Sequence, residues 1–95
     1  MAEDSSDRGS PIFVVSGGFG ASGEQIARTA LAQFVGARVP VEVVPHVRSV
    51  DQIASAVARA RARRGIILHT LVDPELRAAL IHKARDANVA VSYTH

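Results

Sequence analysis

Cysteine and tryptophan are both absent from this 95-residue sequence, and its apolar runs are short. Without thiols the chain has no disulfide framework and no thiolate metal site, so its own core must stabilise it. No apolar run approaches the roughly 18 residues that cross a bilayer. The polar first ten residues, MAEDSSDRGS, lack the features of a secretory signal. We therefore expect a cytoplasmic chain without membrane contact.

A large excess of charge of either sign is also absent, because the formal net charge is only +2. The exception is ARARARR, residues 58–64, with Arg59, Arg61, Arg63 and Arg64. Such a cluster near a helix end is typical of a solvated face, and docking onto an acidic partner stays the alternative. Because only 4% of the residues are aromatic, stacking on bases has little support and nucleic acid is not an expected partner. The histidines share no ligand spacing, which predicts no metal site.

Apolar residues, in contrast, make up 47% of the chain. This content predicts one small domain, residues 11–95, behind a disordered acidic tail, residues 1–10. Continuous β-branched runs such as PIFVV and GIILHT are typical of strands that are covered on both faces. The predicted strands are residues 11–16, 39–47, 65–70 and 89–93.

Helix start and stop signals separate these runs. Two serines stand three residues before a glutamine, which is capping-box spacing, and an Asp-Pro pair marks a third start. Glycine or asparagine follows each apolar stripe as a left-handed stop. The start residues are Ser22, Ser49 and Asp73, and the stop residues are Gly36, Gly65 and Asn88. The predicted helices are residues 23–35, 50–64 and 74–87.

Strands and helices that alternate with short connections predict a parallel α/β sheet. Pro40 and Pro45 lack a ladder donor, so the second strand belongs at an edge. The expected order is 2-1-3-4, with the first helix on one face and the other two on the opposite face, as in Rossmann- or flavodoxin-like three-layer folds. Ligands of such sheets bind at the topological switch point, here between strands one and three.

The pattern Gly18-x-Gly20-x-x-Gly23 lies between the first strand and the first helix. It has three interpretations: an anion cradle at a helix N-terminus, a tight turn that needs glycine, or a dinucleotide fingerprint. The third has the least support. Glu42, at about the required distance, lies inside the second strand, and Phe19 would crowd a pyrophosphate.

The loop after the third strand holds a second group of polar residues. His69 ends that strand and could face the glycine loop as a donor or proton acceptor, although a structural role is more common for such a histidine. Asp73 primarily caps a helix. Ser16 would need His69 as its base and a carboxylate to orient it, and no such carboxylate is evident. No catalytic residue is therefore assigned.

Three segments carry a resemblance to a known family. The first segment is TLVDPELR, residues 70–77, which follows GIILH. The other two are ARTALAQF, residues 27–34, and VPHVRSVDQI, residues 44–53. Together they resemble the N-terminal domain of the pyruvate, phosphate dikinase regulatory proteins, a family that includes the phosphoenolpyruvate synthase regulatory proteins. The resemblance covers residues 11–93.

The first loop departs from the pattern of that family, which is usually V-S-D-x-T-G-x-T-A-E. Here it is VSGGFGASGE, residues 15–24. Ser16, Gly20 and Glu24 match, and Ser22 replaces a threonine. The departures are Gly17, Phe19 and Gly23, and His69 replaces a usual aromatic residue. Only the middle glycine of the Gly-x-Gly-x-x-Gly pattern therefore belongs to the family.

The resemblance implies a bifunctional regulator. It uses ADP to phosphorylate a threonine of pyruvate, phosphate dikinase or phosphoenolpyruvate synthase, and it removes that group with inorganic phosphate, releasing pyrophosphate. The chemistry is attributed to a C-terminal domain with a G-x-x-x-x-G-K-[ST] loop, which this sequence lacks. We therefore expect an N-terminal domain that is inactive alone, holds no cofactor, and docks, oligomerises or senses an anion.

Two other hypotheses stay open. One is a stand-alone Rossmann-like protein that binds a nucleotide or phosphate, and the other is a module whose fourth-strand edge pairs with a second copy to form a homodimer. The predicted anion or ligand contacts are Ser16, Gly17, Gly18, Gly20, Ser22, Glu24, His69, Thr70, Asp73 and Arg77.

Overall fold

Seven elements alternate along the chain in the computed structural model, which describes residues 11–18, 20–32 and 40–93. The predicted tail, residues 1–10, lies outside the described residues. The strands are β1 Ile12–Val15, β2 Val41–Val44, β3 Ile66–His69 and β4 Val91–Tyr93. The helices are α1 Ala21–Ala32, α2 Val50–Ala62 and α3 Pro74–Ala87. Within these ranges no helix has both the length and the apolar character to cross a membrane.

The strands form one parallel sheet in the order β2-β1-β3-β4, which confirms the predicted fold and strand order. At the centre of the register, Val14 of β1 lies opposite Val43 of β2 and Leu68 of β3. β2 lies on one side of β1, and β3 and β4 lie on the other. The order in which strands are added to the sheet therefore reverses between β1 and β3. The topological switch point is therefore at the predicted place.

Alternate residues of β1 face the two helical layers. Phe13 and Val15 are fully buried and join Ile67 in the core that α2 and α3 cover. Val14 faces the other side, where a Cβ at Gly23 of α1 would lie only 2.7 Å from Val14 Cγ1. Since side chains alternate across a strand, α1 lies on one face and α2 and α3 lie on the other, as predicted.

The predicted starts of α2 and α3 are confirmed. Ser49 and Gln52 form a capping box, in which Gln52 N donates to Ser49 Oγ at 3.3 Å and Ser49 N donates to Gln52 Oε1 at 3.1 Å. Asp73 accepts two backbone N–H groups of the first turn of α3, at 2.8 and 3.2 Å. Asn88, with φ 63°, ends α3 in the left-handed conformation.

The predicted start of α1 is wrong. The helix begins at Ala21, so Ser22 lies within the first turn and is not the cap. Gly20, with φ 83°, turns the chain directly before the helix. Because the positive φ of Gly20 makes the turn into the helix, the helix begins at residue 21, two residues before the predicted start at residue 23. The predicted stop at Gly36 lies outside the described residues.

The predicted stop of α2 is also wrong. The helix ends at Ala62, and the left-handed residue after it is Arg64, with φ 56°, and not Gly65. Gly65 serves close packing instead, because a Cβ there would lie 2.7 Å from the Pro11 carbonyl oxygen and 2.8 Å from the Phe13 ring. The glycine therefore lets the chain enter β3 directly against β1.

The second strand is shorter than its apolar pattern predicts. β2 ends at Val44, because His46 adopts φ 57° and turns the chain out of the sheet. Val47 N then donates to Ser16 O at 2.9 Å, in the loop that follows β1. Residues 45–47, which were predicted to end this strand, instead connect the loop after β2 to the loop after β1.

Glu42 joins the edge strand β2 to α2. Its carboxylate pairs with Arg59 and, at 2.9 Å, with Arg63. Both guanidinium groups lie over the Phe13 ring, at 5.7 and 5.6 Å from its centroid. All four arginines of the 58–64 cluster are exposed, as predicted, but these two also attach the helix to the sheet.

Candidate functional site

A cleft of about 330 Å³ opens at the carboxyl edge of the sheet, between the loops that follow β1, β2 and β3. The three helices each begin after one of these loops, so the positive ends of their dipoles are directed toward this edge. The cleft is lined by Ser16, Gly17, Gly18, Val47, Arg48, Thr70, Leu71, Val72, Asp73 and Leu76. It lies where open α/β sheets bind ligands.

Ser16 fixes the floor of the cleft. Its backbone N donates to Val44 O at 3.1 Å, and its carbonyl accepts from Val47 N at 2.9 Å. Its hydroxyl accepts from Gly18 N at 3.0 Å, and the residue is only 5% exposed. These bonds hold the turn at Gly17 and Gly18 in one position against the loop after β2.

Arg48 is the cation among the described residues that line the cleft, and sequence reasoning did not select it as a site residue. Its Nη1 donates to Gly17 O at 2.9 Å, across 31 residues of sequence, and its backbone N donates to Gln52 Oε1 at 2.6 Å. A guanidinium has five N–H donors, so this bond orients the group and leaves donors for a ligand. The available signal was its place directly before the cap of α2, at the edge where parallel strands end.

The loop after β3 forms the opposite wall. Thr70 N donates to Val15 O at 3.1 Å, which attaches this loop to β1. Val72, which is 78% exposed, supplies apolar surface beside the buried Leu71. Asp73 brings a carboxylate, but that carboxylate lies on the first turn of α3 and accepts its N–H groups, so the helix dipole offsets part of its charge.

The glycines of the first loop have different roles. A Cβ at Gly17 or Gly18 would find its nearest neighbour at 3.9 or 4.0 Å, so these two positions have room beside the cleft. A Cβ at Gly20 would lie 2.5 Å from Val43 Cγ1. Together with the contact of Gly23 on β1, this shows that the last two glycines of the Gly-x-Gly-x-x-Gly pattern pack α1 closely onto the sheet.

The structure brings five of the ten predicted contacts to the cleft: Ser16, Gly17, Gly18, Thr70 and Asp73. Gly20 packs against β2 instead, and the Glu24 carboxylate pairs with Arg28 at 2.8 Å along α1. His69 and Arg77 lie beside Tyr93 of β4. The side chain of Ser22 lies outside the described residues.

His69 has a structural position under the cleft loop. It is 2% exposed, its Nδ1 accepts from Leu71 N at 3.2 Å, and its ring centroid lies 4.9 Å from that of Tyr93. Burial, and then the positive charge of Arg77, lower the pKa of His69 below its usual value. The imidazole is therefore neutral at pH 7, with its proton on Nε2.

The features required for a dinucleotide are not assembled. Glu42 lies in the middle of β2, and its carboxylate pairs with Arg59 and Arg63. No acid therefore stands at the carboxyl end of β2 to bind a ribose. In the part of the chain that the structure describes, no three His, Asp or Glu side chains are grouped closely enough to hold a metal ion.

Comparison with known proteins gives consistent matches. The kinase/pyrophosphorylase family matches residues 12–94. A relative from Chloroflexus aurantiacus, named as a pyruvate, phosphate dikinase regulatory protein, is 52% identical over 80 residues, which cover 84% of this chain and 29% of the relative. A Bacillus subtilis protein of the same name is 40% identical over 80 residues, covering 82% of this chain and 30% of that protein. The chain thus spans less than a third of the length of these relatives.

Proposed function

The chain belongs to the kinase/pyrophosphorylase family, and we propose that it forms the N-terminal part of a regulator that inactivates and reactivates pyruvate, phosphate dikinase or phosphoenolpyruvate synthase. The names of its relatives support the first of these targets. In this proposal the whole regulator phosphorylates its target from ADP and removes the phosphoryl group with inorganic phosphate. The proposal assigns phosphoryl transfer to the part of the regulator that this chain does not span.

The role of this domain in the proposal is to bind a phosphate oxyanion in the cleft. The observation that carries it is Arg48, whose guanidinium is held over the cleft by the Gly17 carbonyl at 2.9 Å. Arginine binds phosphate strongly because several of its N–H groups can donate to the oxygens at once. The positive ends of the three helix dipoles add to the same potential.

The walls of the cleft favour a small anion over a nucleotide. Gly17 and Gly18 let the backbone come close to a ligand, while Leu71, Val72 and Leu76 form the apolar side. None of the described residues that line the cleft is aromatic, so these side chains supply no ring to stack on adenine. Inorganic phosphate or pyrophosphate, which are reactant and product of the proposed reactivation, therefore suit the cleft better than ADP.

Calorimetry on the 95-residue chain tests this proposal, with phosphate, pyrophosphate and ADP as separate titrants. We expect phosphate or pyrophosphate to bind and Arg48→Ala to weaken binding on the order of 10-fold or more, as for a lost charge-assisted hydrogen bond. The matched control is Arg28→Ala, which removes an exposed arginine paired with Glu24 on α1. Equal affinities for the wild type and Arg48→Ala, or an equal loss in both variants, would contradict the proposed site.

Docking onto the target is tested separately. The immobilised chain is exposed to purified pyruvate, phosphate dikinase and to phosphoenolpyruvate synthase from the same organism, with and without phosphate. Saturable binding of one enzyme identifies the target, and a phosphate-dependent affinity links the cleft to docking. If neither enzyme binds, this domain does not recognise the target by itself.

A further inference from the structure

The loop after β2 is hydrogen-bonded to the loop after β1 at three successive positions. Residues 46–48 donate to all three carbonyl groups of residues 16–18, at 2.8 to 2.9 Å. The guanidinium of Arg48 makes the bond to Gly17 O, and backbone N–H groups make the other two. The position of the Arg48 guanidinium at the cleft therefore depends on the conformation of the whole loop after β2.

This loop contains a residue whose backbone conformation needs support. His46 has φ 57°, in the left-handed region that residues other than glycine seldom adopt. Such a conformation persists only where the surrounding contacts hold it. Here the N–H of His46 donates to Gly18 O at 2.8 Å, and its carbonyl accepts from Gln52 Nε2 at 3.2 Å. Gln52 of α2 therefore supports the turn by which the chain leaves β2.

The oxygen of the same side-chain amide binds the residue that carries the cation. Gln52 Oε1 accepts from Ser49 N at 3.1 Å and from Arg48 N at 2.6 Å. A capping box requires only the first of these two bonds, so the bond to Arg48 N is additional. The amide rests on a fixed support, because the next residue of α2, Ile53, is fully buried. Gln52 thus holds the segment of residues 46–49 at both of its ends.

We propose that Gln52 is a positioning residue for the oxyanion site, an inference that rests on the function proposed above. Its side-chain amide fixes the loop after β2, so that the Arg48 guanidinium stays at Gly17 O. Gln52 is not among the residues that line the cleft, so it acts on a bound anion through Arg48. Without Gln52 the arginine side chain samples more rotamers, and the entropy lost when it is ordered by a ligand opposes binding.

Three variants distinguish positioning from helix capping alone. Ser49→Ala removes the hydroxyl that accepts from Gln52 N at 3.3 Å, but it leaves the bond between Gln52 Oε1 and Arg48 N. Gln52→Ala removes both functions of the amide. Gln52→Glu keeps a side-chain acceptor at the third helical position, where glutamate serves in capping boxes. Capping alone predicts similar effects of Ser49→Ala and Gln52→Ala on Arg48, whereas positioning predicts an effect of Gln52→Ala only.

NMR relaxation of the arginine side chains measures the position of Arg48 without any ligand. On the ¹⁵N-labelled 95-residue chain, the order parameter of Arg48 Nε should exceed that of Arg61 Nε, because Arg61 is exposed on α2. Gln52→Ala should lower the Arg48 value to that of Arg61. Ser49→Ala and Gln52→Glu should leave it near the wild-type value, since both retain an acceptor for Arg48 N. An unchanged Arg48 order parameter in Gln52→Ala would overturn the proposal.

Calorimetry with inorganic phosphate links this position to binding. Gln52→Ala should weaken the affinity about 3- to 10-fold, as for one side chain that must be ordered on binding, and Ser49→Ala should leave it within about 2-fold. In an Arg48→Ala background, Gln52→Ala should cause no further loss, because it acts through Arg48. Urea unfolding confirms that each variant is folded.

Two results would contradict the link to binding: equal losses of affinity in Gln52→Ala and Ser49→Ala, or a further loss in the Arg48→Ala background. The failure of the proposed function gives a different result. If the wild type binds no phosphate while Gln52→Ala still lowers the Arg48 order parameter, the positioning of Arg48 by Gln52 is supported and the assignment of phosphate to the cleft is wrong.

Discussion

At the scale of single residues, the glycines of the first loop show why a spacing pattern has limited value. Gly18 lines the cleft, whereas a Cβ at Gly20 would meet Val43 of β2 and a Cβ at Gly23 would meet Val14 of β1. In the sequence the three glycines of the pattern look equivalent. The distinction depends on contacts with Val43 of β2 and Val14 of β1. No local sequence pattern reveals those contacts.

Gly20→Val is therefore expected to destabilise the fold. Its φ of 83° disfavours a β-branched residue, and its Cβ would meet Val43 Cγ1 at 2.5 Å. Strain and overpacking together should lower the free energy of unfolding by about 2–4 kcal/mol, measured by urea denaturation. Gly18→Ala is the control and should change it by less than about 1 kcal/mol. Equal effects would contradict the packing role of Gly20.

His69 should make stability depend on pH. Its folded-state pKa is lowered from 6.5 by burial and by Arg77, so below about pH 6.5 the unfolded chain binds the proton more readily. The contribution to stability is complete above that pH. It falls as the pH decreases toward the lowered pKa and then becomes constant.

Unfolding titrations between pH 8 and pH 4 test this dependence by comparison with His69→Phe, which removes the titrating group. The wild type should lose more stability than the variant as the pH falls. The control is His82→Ala, because His82 is exposed on α3, with 74% of its side chain accessible. Parallel curves for the wild type and His69→Phe would show that His69 does not contribute.

At the scale of elements, the helix starts at which a side chain accepts N–H groups of the first turn were predictable from the sequence. The Ser49 and Gln52 capping box and the Asp73 cap both form as expected. The signals that failed depend on backbone angles. Arg64, and not Gly65, takes the left-handed conformation after α2, because Gly65 is needed where the chain passes Pro11. A glycine thus marks an unusual backbone site without showing which constraint requires it.

Asp73→Ala should destabilise α3. The variant leaves the N–H groups of Glu75 and Leu76 without their acceptor, which costs about 1 kcal/mol for a typical N-cap. Thermal and urea unfolding measure the loss. Asp86→Ala, at an exposed position near the other end of the same helix, should change stability by less than about 0.5 kcal/mol. A similar loss in both variants would argue against a specific cap.

At the scale of the whole molecule, the sequence was sufficient for the layers, the strand order and the edge where the loops meet. These follow from the alternation of elements and from the prolines beside β2. It was not sufficient for the directions of long side chains. Arg48 reaches Gly17, and His69 turns toward Tyr93 and away from the cleft. Both outcomes depend on packing between segments that are remote in sequence.

The β2 edge of the described sheet is built in a way that limits assembly. β2 has four residues enclosed by Pro40 and Pro45, so its outer side offers a short strand with no N–H group at either flank. A fibre that grows by sheet extension must be able to join strands at both borders. The border formed by β2 in the described part of the sheet therefore resists the edge-to-edge pairing from which such a fibre grows.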